Sequence, residues 1–155
     1  MKAVVTTGSG GYERLEYRTA PIPEPGPGEV LLRVIAAGVN NTDINTRIGW
    51  YLSSVRNGTD SLSDALPDSD AEDGGWSGRT PFPMIQGTDC CGVVVGHGTG
   101  AALPKAGTRV LVRPCMRVQG FDSPETVWMG VDFDGAIAGP MVTMDLRDLY
   151  LRMCA

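Results

Sequence analysis

Glycine and proline recur along the whole of this 155-residue chain, with 21 glycines and 11 prolines. Proline lacks a backbone N–H donor and glycine weakens regular elements, so this density disfavours long helices. Short apolar stretches lie between these breakers, a pattern typical of short strands joined by turns. The chain is therefore predicted to be a single β-rich domain, 1–155, and it is long enough to bury a sizeable core.

The spacing of apolar residues along the chain predicts where its strands and helices lie. Residues 15–19 alternate apolar and polar, as a half-exposed strand does, and residues 29–37 are almost continuously apolar, as in a buried strand. Residues 42–48 are predicted to form a short helix, with Asn41 or Thr42 as the N-cap and Gly49 closing it. A further helical turn is expected at 145–149. The remaining predicted strands are 2–6, 89–95, 109–113 and 136–143. The fold class predicted from these elements is a β-rich barrel with short helices.

The stretch 52–80 is rich in Asp, Ser and Gly. Such a composition cannot bury enough apolar surface to fix itself, so it is predicted to be one long, mobile acidic loop. The loop could act as a lid over a cleft, or it could be a tolerated surface insertion. A calcium site built from Asp68, Asp70 and Asp73 is not expected, because the spacing and terminal Glu of an EF-hand are lacking.

Charge and cysteine content exclude several classes. The net charge of −5 and pI near 4.7 argue against nucleic acid as a partner. No apolar run is long enough to span a bilayer and no leader peptide is recognisable, so a cytoplasmic location is expected. The four cysteines are expected to be reduced thiols, since adjacent Cys90 and Cys91 point to opposite faces of a strand. No close-spaced cysteine pair suits a structural zinc.

His97 is the single histidine of the chain and lies in the Gly-rich stretch 96–100. This stretch is predicted to be a hairpin turn rather than a phosphate loop, because no amphipathic helix follows it. The side chain of His97 is therefore expected to be exposed and without a catalytic function.

Two motifs, GVNNTD at 38–43 and GTDCCG at 87–92, resemble in order and spacing the paired active-site motifs of the medium-chain dehydrogenase/reductase family. Weaker matches accompany them at the MKAVV opening, at PGPGEV (25–30), GTRVL (107–111) and DGAIA (134–138). The resemblance covers most of the chain except roughly 52–80 and 113–130. It implies a GroES-like, partly open β-barrel that forms the substrate-side catalytic domain. Family enzymes continue into a Rossmann nucleotide-binding domain, which is expected to be absent from these 155 residues because they contain no βαβ unit with a Gly-rich turn.

In the zinc alcohol dehydrogenases of this family, the first motif carries a Cys and the second a His-Glu pair that line the catalytic metal. Here those positions are Asn40, Thr88 and Asp89. An amide and a hydroxyl are poor zinc ligands, so no zinc is expected. The substitutions resemble the zinc-free quinone oxidoreductase branch.

The resemblance also implies roles for individual residues. Asn40 and Tyr51 are the predicted catalytic residues. The Asn40 amide could hydrogen-bond a substrate carbonyl or the nicotinamide carboxamide, and the Tyr51 phenol could donate to a carbonyl oxygen during reduction. The structural alternatives are a loop amide that caps the helix and an aromatic residue packed beside Trp50.

Asp43 and Arg47, with Asn40, are the predicted cofactor contacts. Their structural alternative is an i,i+4 ion pair on one helix face. Trp50, Thr88 and Asp89 are predicted to line the substrate cleft.

The sequence therefore predicts the substrate-side domain of an NADPH-dependent, zinc-independent oxidoreductase acting on quinones, enones or related carbonyls. NADPH is expected to bind only with the nucleotide-binding domain, so the chain alone should be inactive. Self-association is expected through Trp50, Tyr51 and the apolar C-terminal residues. The alternatives are a zinc-type alcohol dehydrogenase relative that has lost its ligands and a stand-alone GroES-like binding or assembly module.

Overall fold

The computed structural model of the protein describes residues 1–51, 79–102, 104–116 and 124–137, together with the backbone of 141–145 and 149–151. The predicted acidic loop lies outside these ranges except for Arg79 and Thr80, and so does Cys154. Within the described ranges the chain is rich in strands, as predicted.

Ten strands, one α-helix and one 3-10 turn make up the described elements. The strands are β1 (Lys2–Thr6), β2 (Leu15–Thr19), β3 (Glu29–Gly38), β4 (Met84–Ile85), β5 (Asp89–His97), β6 (Arg109–Val112), β7 (Cys115–Met116), β8 (Val127–Trp128), β9 (Met141–Asp145) and β10 (Leu149–Leu151). The helix α1 spans Asn41–Arg47, and the 3-10 turn spans Tyr12–Arg14.

All strand pairings are antiparallel. One sheet has the order β2-β1-β4, a second has the order β10-β6-β5-β3-β9, and β7 pairs with β8 alone. Neither sheet closes on itself within the described part of the chain, which agrees with the predicted partly open barrel. Helix α1 follows directly on β3, and β5 begins the second motif, so both motifs lie at one end of the central strand pair.

The main core lies on one face of the five-stranded sheet. Val30 and Leu32 of β3 are fully buried, and their neighbours on the strand are more exposed, as the period of two requires. They pack with Val94 of β5 and Val110 of β6. Burial of each such side chain contributes about 1.5–3 kcal/mol relative to exposure.

Two element predictions near the C-terminus are wrong. The strand predicted at 136–143 begins at Met141, because the N–H groups of Ala136 and Ile137 donate to Gly87 and Gln86 instead of to a neighbouring strand. The helical turn predicted at 145–149 is wrong at its two ends, since Asp145 ends β9 and Leu149 begins β10, and residues 146–148 lie outside the described residues. Cross-strand pairing to β3 and β6 outweighs the local preference there.

The expected hairpin turn after His97 is present, because β5 and β6 are consecutive antiparallel neighbours. His97 itself is half-buried rather than exposed, and its Nε2 lies 2.8 Å from the carbonyl oxygen of Pro104. The expectation of an exposed side chain is therefore wrong. The imidazole ring connects the end of β5 to Pro104 in the segment that leads to β6.

Cys90 is buried and Cys91 is only partly buried, which fits opposite faces of β5. Both are free thiols, as is Cys115. Among the described residues, no helix is both long enough and apolar enough to cross a membrane.

Candidate functional site

Helix α1 is fixed at both ends by its own sequence. The N-cap is Asn40, one residue before the nearer predicted cap, and its backbone N–H donates to Oδ2 of Asp43 at 2.7 Å. At the other end Gly49 has φ +71, and its N–H donates to the carbonyl oxygen of Thr46 while that of Trp50 donates to Asn45. This pair of bonds is a Schellman motif, so the closure predicted at Gly49 is confirmed.

Asp43 joins the two sequence motifs. Its second carboxylate oxygen, Oδ1, accepts the backbone N–H of Gly87 at 3.0 Å, and the residue is only 4% exposed. Burial raises the pKa of Asp43, and the two backbone donors, from Asn40 and Gly87, oppose that rise. The carboxylate therefore holds the first motif against the second.

Gln86 adds a second link, which sequence reasoning missed. Its Nε2 donates to the carbonyl oxygen of Asp43 at 2.9 Å, and its Oε1 accepts the hydroxyl of Thr6 at 2.8 Å. Gln86 and Thr6 are both buried. The one sequence signal that could have indicated this bridge is a Gln immediately before the second motif, among apolar residues that predict burial. The bridge connects β1, α1 and the motif.

Asn40 and Thr88 meet at the site. The Asn40 Nδ2 donates to Thr88 Oγ1 at 3.0 Å, and the amide oxygen faces the Asp43 backbone N–H in the capping box, which leaves one amide hydrogen for another partner. Thr88 is buried and Asn40 is half-buried. Asp89 is exposed and lies opposite Gly38, where a Cβ would come within 2.7 Å of the Asp89 Oδ2. Asn40 and Thr88 are thus bonded to each other, although both stand where the zinc alcohol dehydrogenases carry metal ligands.

Arg47 has partners other than Asp43. Its Nη1 donates to the carbonyl oxygen of Gly10 at 2.7 Å, and the N–H of Gly10 returns a 2.7 Å bond to the Arg47 carbonyl oxygen. The guanidinium also lies 4.9 Å from the ring centre of Tyr12. Because the Asp43 carboxylate accepts backbone donors instead, the i,i+4 ion pair between these two described side chains is not formed. Arg47 anchors the first loop to α1.

Trp50 and Tyr51 follow the Schellman motif and are both half-buried. The self-association hypothesis assumed that both side chains are strongly exposed, and the structure shows that they are not. Their roles in a cleft and in catalysis stay predictions.

The segment 134–137 forms a platform under the second motif. Asp134 Oδ1 accepts the N–H of Ile85 at 2.8 Å, and Ala136 N donates to Gly87 O at 3.0 Å. Gly87 has φ +111, and a Cβ there would lie 2.6 Å from the backbone nitrogen of Ile137. Only glycine fits this contact without a shift, so the close approach of segment 134–137 requires glycine at position 87.

The donor set at the site does not fit zinc. An amide and a hydroxyl that bond each other stand where thiolate and imidazole would be needed, and Asp89 is a single carboxylate. The described residues contain no group of three or more His, Cys, Asp or Glu side chains that could hold a metal ion. The same residues suit a neutral carbonyl oxygen better, because Asn40 keeps one amide hydrogen that can donate to it.

Three residues are predicted to contact the nicotinamide cofactor. The remaining amide hydrogen of Asn40 can donate to the oxygen of a carboxamide. Asp43 uses both carboxylate oxygens on backbone donors, and Arg47 is occupied by Gly10 and Tyr12. These contacts support positioning roles for Asp43 and Arg47, and their cofactor contacts stay predictions.

Comparison with known proteins agrees with this geometry. The sequence model of the protein family described as the alcohol dehydrogenase GroES-like domain matches residues 26–145 of this chain. The synaptic vesicle membrane protein VAT-1 homolog of Rattus norvegicus is 36% identical over 114 residues, which are 72% of this chain and 22% of that protein. A candidate alcohol dehydrogenase from Sinorhizobium meliloti 1021 is 32% identical with a TM-score of 0.76, and the match covers 97% of this chain and 39% of that one.

A cobalt- and zinc-bound thermostable alcohol dehydrogenase from Pyrobaculum aerophilum has a TM-score of 0.72 at 24% identity, with 100% of this chain and 42% of that chain covered. This likeness supports the fold alone. The chain spans less than half the length of each of these relatives. Because both motifs fall inside the matched residues 26–145, the chain belongs to the alcohol dehydrogenase GroES-like domain family of the medium-chain dehydrogenases/reductases, as its motifs predicted.

Proposed function

We propose that this chain is the substrate-side domain of an NADPH-dependent, zinc-independent oxidoreductase that reduces quinones, enones or related carbonyls in the cytoplasm. The observation that carries the proposal is the hydrogen bond from the Asn40 amide to the Thr88 hydroxyl. It stands where zinc members of the family would carry metal ligands, and it leaves one uncharged amide N–H donor of Asn40 for a substrate carbonyl.

The proposed chemistry divides between cofactor and protein. NADPH, when bound, supplies the hydride. The carbonyl group of a simple substrate, or the conjugated system of an enone or a quinone, would accept it; negative charge then develops on the oxygen, which takes a proton. In this proposal the second amide hydrogen of Asn40 orients the carbonyl, and the Tyr51 phenol donates the proton.

The rigidity of the amide supports its orienting role. Asn40 is held through its backbone by Asp43 and through its side chain by Thr88. Asp43 is in turn held by Gly87, so the amide is supported by bonds to both motifs. A preorganised donor of this kind costs no reorganisation when the carbonyl oxygen gains charge.

A chimera tests the proposal. Residues 1–155 would replace the matching segment of the Sinorhizobium meliloti relative, which supplies the rest of an enzyme chain. Turnover of NADPH and NADH would be followed with 1,4-benzoquinone and cyclohex-2-enone, before and after treatment with a zinc chelator. We expect reduction of both substrates with whichever of the two cofactors the nucleotide-binding domain of the relative accepts, at a rate that the chelator leaves unchanged.

Matched variants assign the role of the amide. Asn40→Ala should reduce kcat by about a hundredfold to a thousandfold, the range for loss of one preorganised donor, whereas Asn41→Ala at the exposed neighbouring position should not. Chelator-sensitive alcohol oxidation would favour the zinc-type alternative. A folded chimera that binds NADPH but reduces neither substrate would favour a binding module.

A further inference from the structure

The turn that follows β8 is anchored in the core. Met129 and Val131 are 0% and 3% exposed, and Met129 belongs to the main core cluster. The N–H groups of Val131 and Asp132 both donate to the carbonyl oxygen of Trp128, and the Asp132 carboxylate accepts the Trp128 N–H at 2.7 Å. Buried side chains on both sides of Gly130, together with the hydrogen bonds across the turn, therefore hold the backbone of this glycine in place.

Gly130 contacts the first residue of the second motif. It has φ +77, and a Cβ at this position would lie 2.7 Å from the backbone nitrogen of Gly87 and 2.8 Å from its carbonyl carbon and oxygen. Real Cβ atoms essentially never come within 3.0 Å of such neighbours. The turn can therefore meet Gly87 backbone to backbone only because position 130 has no side chain.

A second glycine, Gly135, contacts the same backbone from the segment 134–137. A Cβ on Gly135 would collide with the carbonyl oxygen of Gly87 and would lie 2.8 Å from the carbonyl carbon of Gln86. The N–H of Gly135 donates to the carbonyl oxygen of Ile85 at 2.6 Å, which holds the segment against the chain just before the motif. The backbone of Gly87 is thus packed against two glycines that lie outside both motifs.

Gly87 connects these glycines to the candidate site. Its N–H donates to Asp43 Oδ1 at 3.0 Å, and the next residue, Thr88, accepts the Asn40 amide at 3.0 Å. Ordinary van der Waals contact of a Cβ begins at 3.4 Å, so a side chain at Gly130 would require a displacement of about 0.7 Å. A displacement of that size is enough to take a 3.0 Å contact out of hydrogen-bonding range.

We propose that Gly130 is a positioning residue of the site: it lets the core-anchored turn contact Gly87 directly and so sets the distance between the Thr88 hydroxyl and the Asn40 amide. Gly130 acts only through Gly87 and Thr88, and Gly135 supports the same contact. The inference rests on the proposed function in one respect, since the oriented amide hydrogen of Asn40 is the donor to the substrate carbonyl in that proposal.

The test observes the Asn40 amide by NMR in the isotope-labelled 155-residue protein. The side-chain NH₂ signals of Asn40 are assigned by their loss in Asn40→Ala, and Thr88→Val gives their position without the Thr88 bond. Gly130→Ala should move these signals toward the Thr88→Val position and speed hydrogen exchange of the Gly87 amide by about tenfold. Gly28→Ala should change neither, because Gly28 also has φ +77 but a Cβ there would meet nothing within 4 Å.

A second pair of variants decides the question even if Gly130→Ala does not fold. Val131→Ala loosens the anchor of the turn without adding an atom, and it should move the Asn40 signals in the same direction. Val30→Ala deletes the same methyl groups from a fully buried position of β3 and should lower stability without moving the signals. Unchanged Asn40 signals in the folded variants of the turn would overturn the proposal, and so would an equal movement in Gly28→Ala.

Turnover separates this inference from the proposed function. In the chimera, Gly130→Ala should lower kcat by up to about a hundredfold, because a misplaced donor loses its alignment with the carbonyl, and it should have no further effect in the Asn40→Ala background. An equal loss in both backgrounds would show that Gly130 supports the fold rather than the amide, and would overturn the proposal. A chimera without turnover would contradict the proposed function, whereas the Asn40 signals still decide whether Gly130 positions the amide.

Discussion

The side-chain amide of Asn40 donates a 3.0 Å hydrogen bond to the hydroxyl of Thr88, across 48 positions of the chain. In zinc members of the family these two positions carry metal ligands. The bond therefore replaces a metal bridge between the two motifs with a direct protein contact, and this replacement leads to the first prediction.

The purified protein should hold no stoichiometric zinc, because amide and hydroxyl donors bind this ion poorly. The double variant Asn40→Cys, Thr88→His restores a thiolate and an imidazole beside Asp89, and it should take up about one zinc per chain. Elemental analysis after mild chelation measures both. Tightly held zinc in the unmodified protein would contradict the zinc-free interpretation.

Replacement of Asp43 by Asn should lower the free energy of unfolding by about 1–3 kcal/mol at neutral pH. The amide NH₂ would face the backbone N–H of Asn40 or of Gly87, so one buried donor would lose its acceptor. Denaturant unfolding measures the change. An equal or higher stability of the variant would show that relief from burying a charge outweighs the lost hydrogen bond.

The same pair of proteins should differ in pH dependence. Burial raises the pKa of Asp43 above the unfolded value of 3.8, so the folded state binds the proton more tightly than the unfolded state does. The part of the stability that comes from this tighter proton binding is therefore complete below that unfolded value and is lost as pH rises through the folded pKa, whereas the hydrogen bonds of the carboxylate remain. Relative to Asp43→Asn, the unmodified protein should lose stability across this window. A relative gain with rising pH would reverse the assigned direction.

Gly87→Ala should destabilise the fold by about 3 kcal/mol, because it combines left-handed strain with a collision against the backbone of Ile137. Gly100→Ala is the matched control. Gly100 also has positive φ, but a Cβ there would meet nothing within 4 Å. Its cost should be about 1 kcal/mol from strain alone. Equal unfolding midpoints for the two variants would show that the platform contact carries little energy.

Cys90 should be the least reactive thiol of the described part of the chain. Burial raises the pKa of Cys90 to about 12, and the thiolate is the reactive form. Iodoacetamide labelling followed by peptide mass spectrometry should therefore modify the partly buried Cys91 and Cys115 first. Early labelling of Cys90 in the folded protein would indicate that β5 opens locally.

The 155-residue chain should not oxidise NADPH in the presence of quinones, because orienting two reactants depends on the nucleotide-binding domain expected in longer family members. Absorbance of the reduced cofactor gives the rate. Turnover by this chain that Tyr51→Phe abolishes would mean that these residues alone form a complete active site.

The sequence was sufficient for the family, the strand-rich fold and the closure of α1 at Gly49. These features depend on local signals: the period of two in β3, the glycine needed at positive φ, and motif order. The predictions failed where a long-range contact decides the outcome. Ala136 looks like part of a strand, yet its N–H group donates to Gly87, and Asp145 belongs to a strand that pairs with β3.

The candidate site shows the same division. Asn40 and Thr88 could be matched by motif, but their hydrogen bond could not be read from residues 48 positions apart. The i,i+4 spacing suggested a pair between Asp43 and Arg47, although both side chains bond to loops that sequence spacing does not reveal. Gln86 escaped notice because a single buried amide has no periodic signature.

The bridge from Thr6 through Gln86 to the carbonyl oxygen of Asp43 has a consequence for how the domain tolerates change. The first strand, the helix and the second motif are bonded to one another directly, through side chains that all lie within the described residues. The bridge therefore offers a fixed frame for engineering: when connections from other family members replace residues 52–78, these bonds should persist.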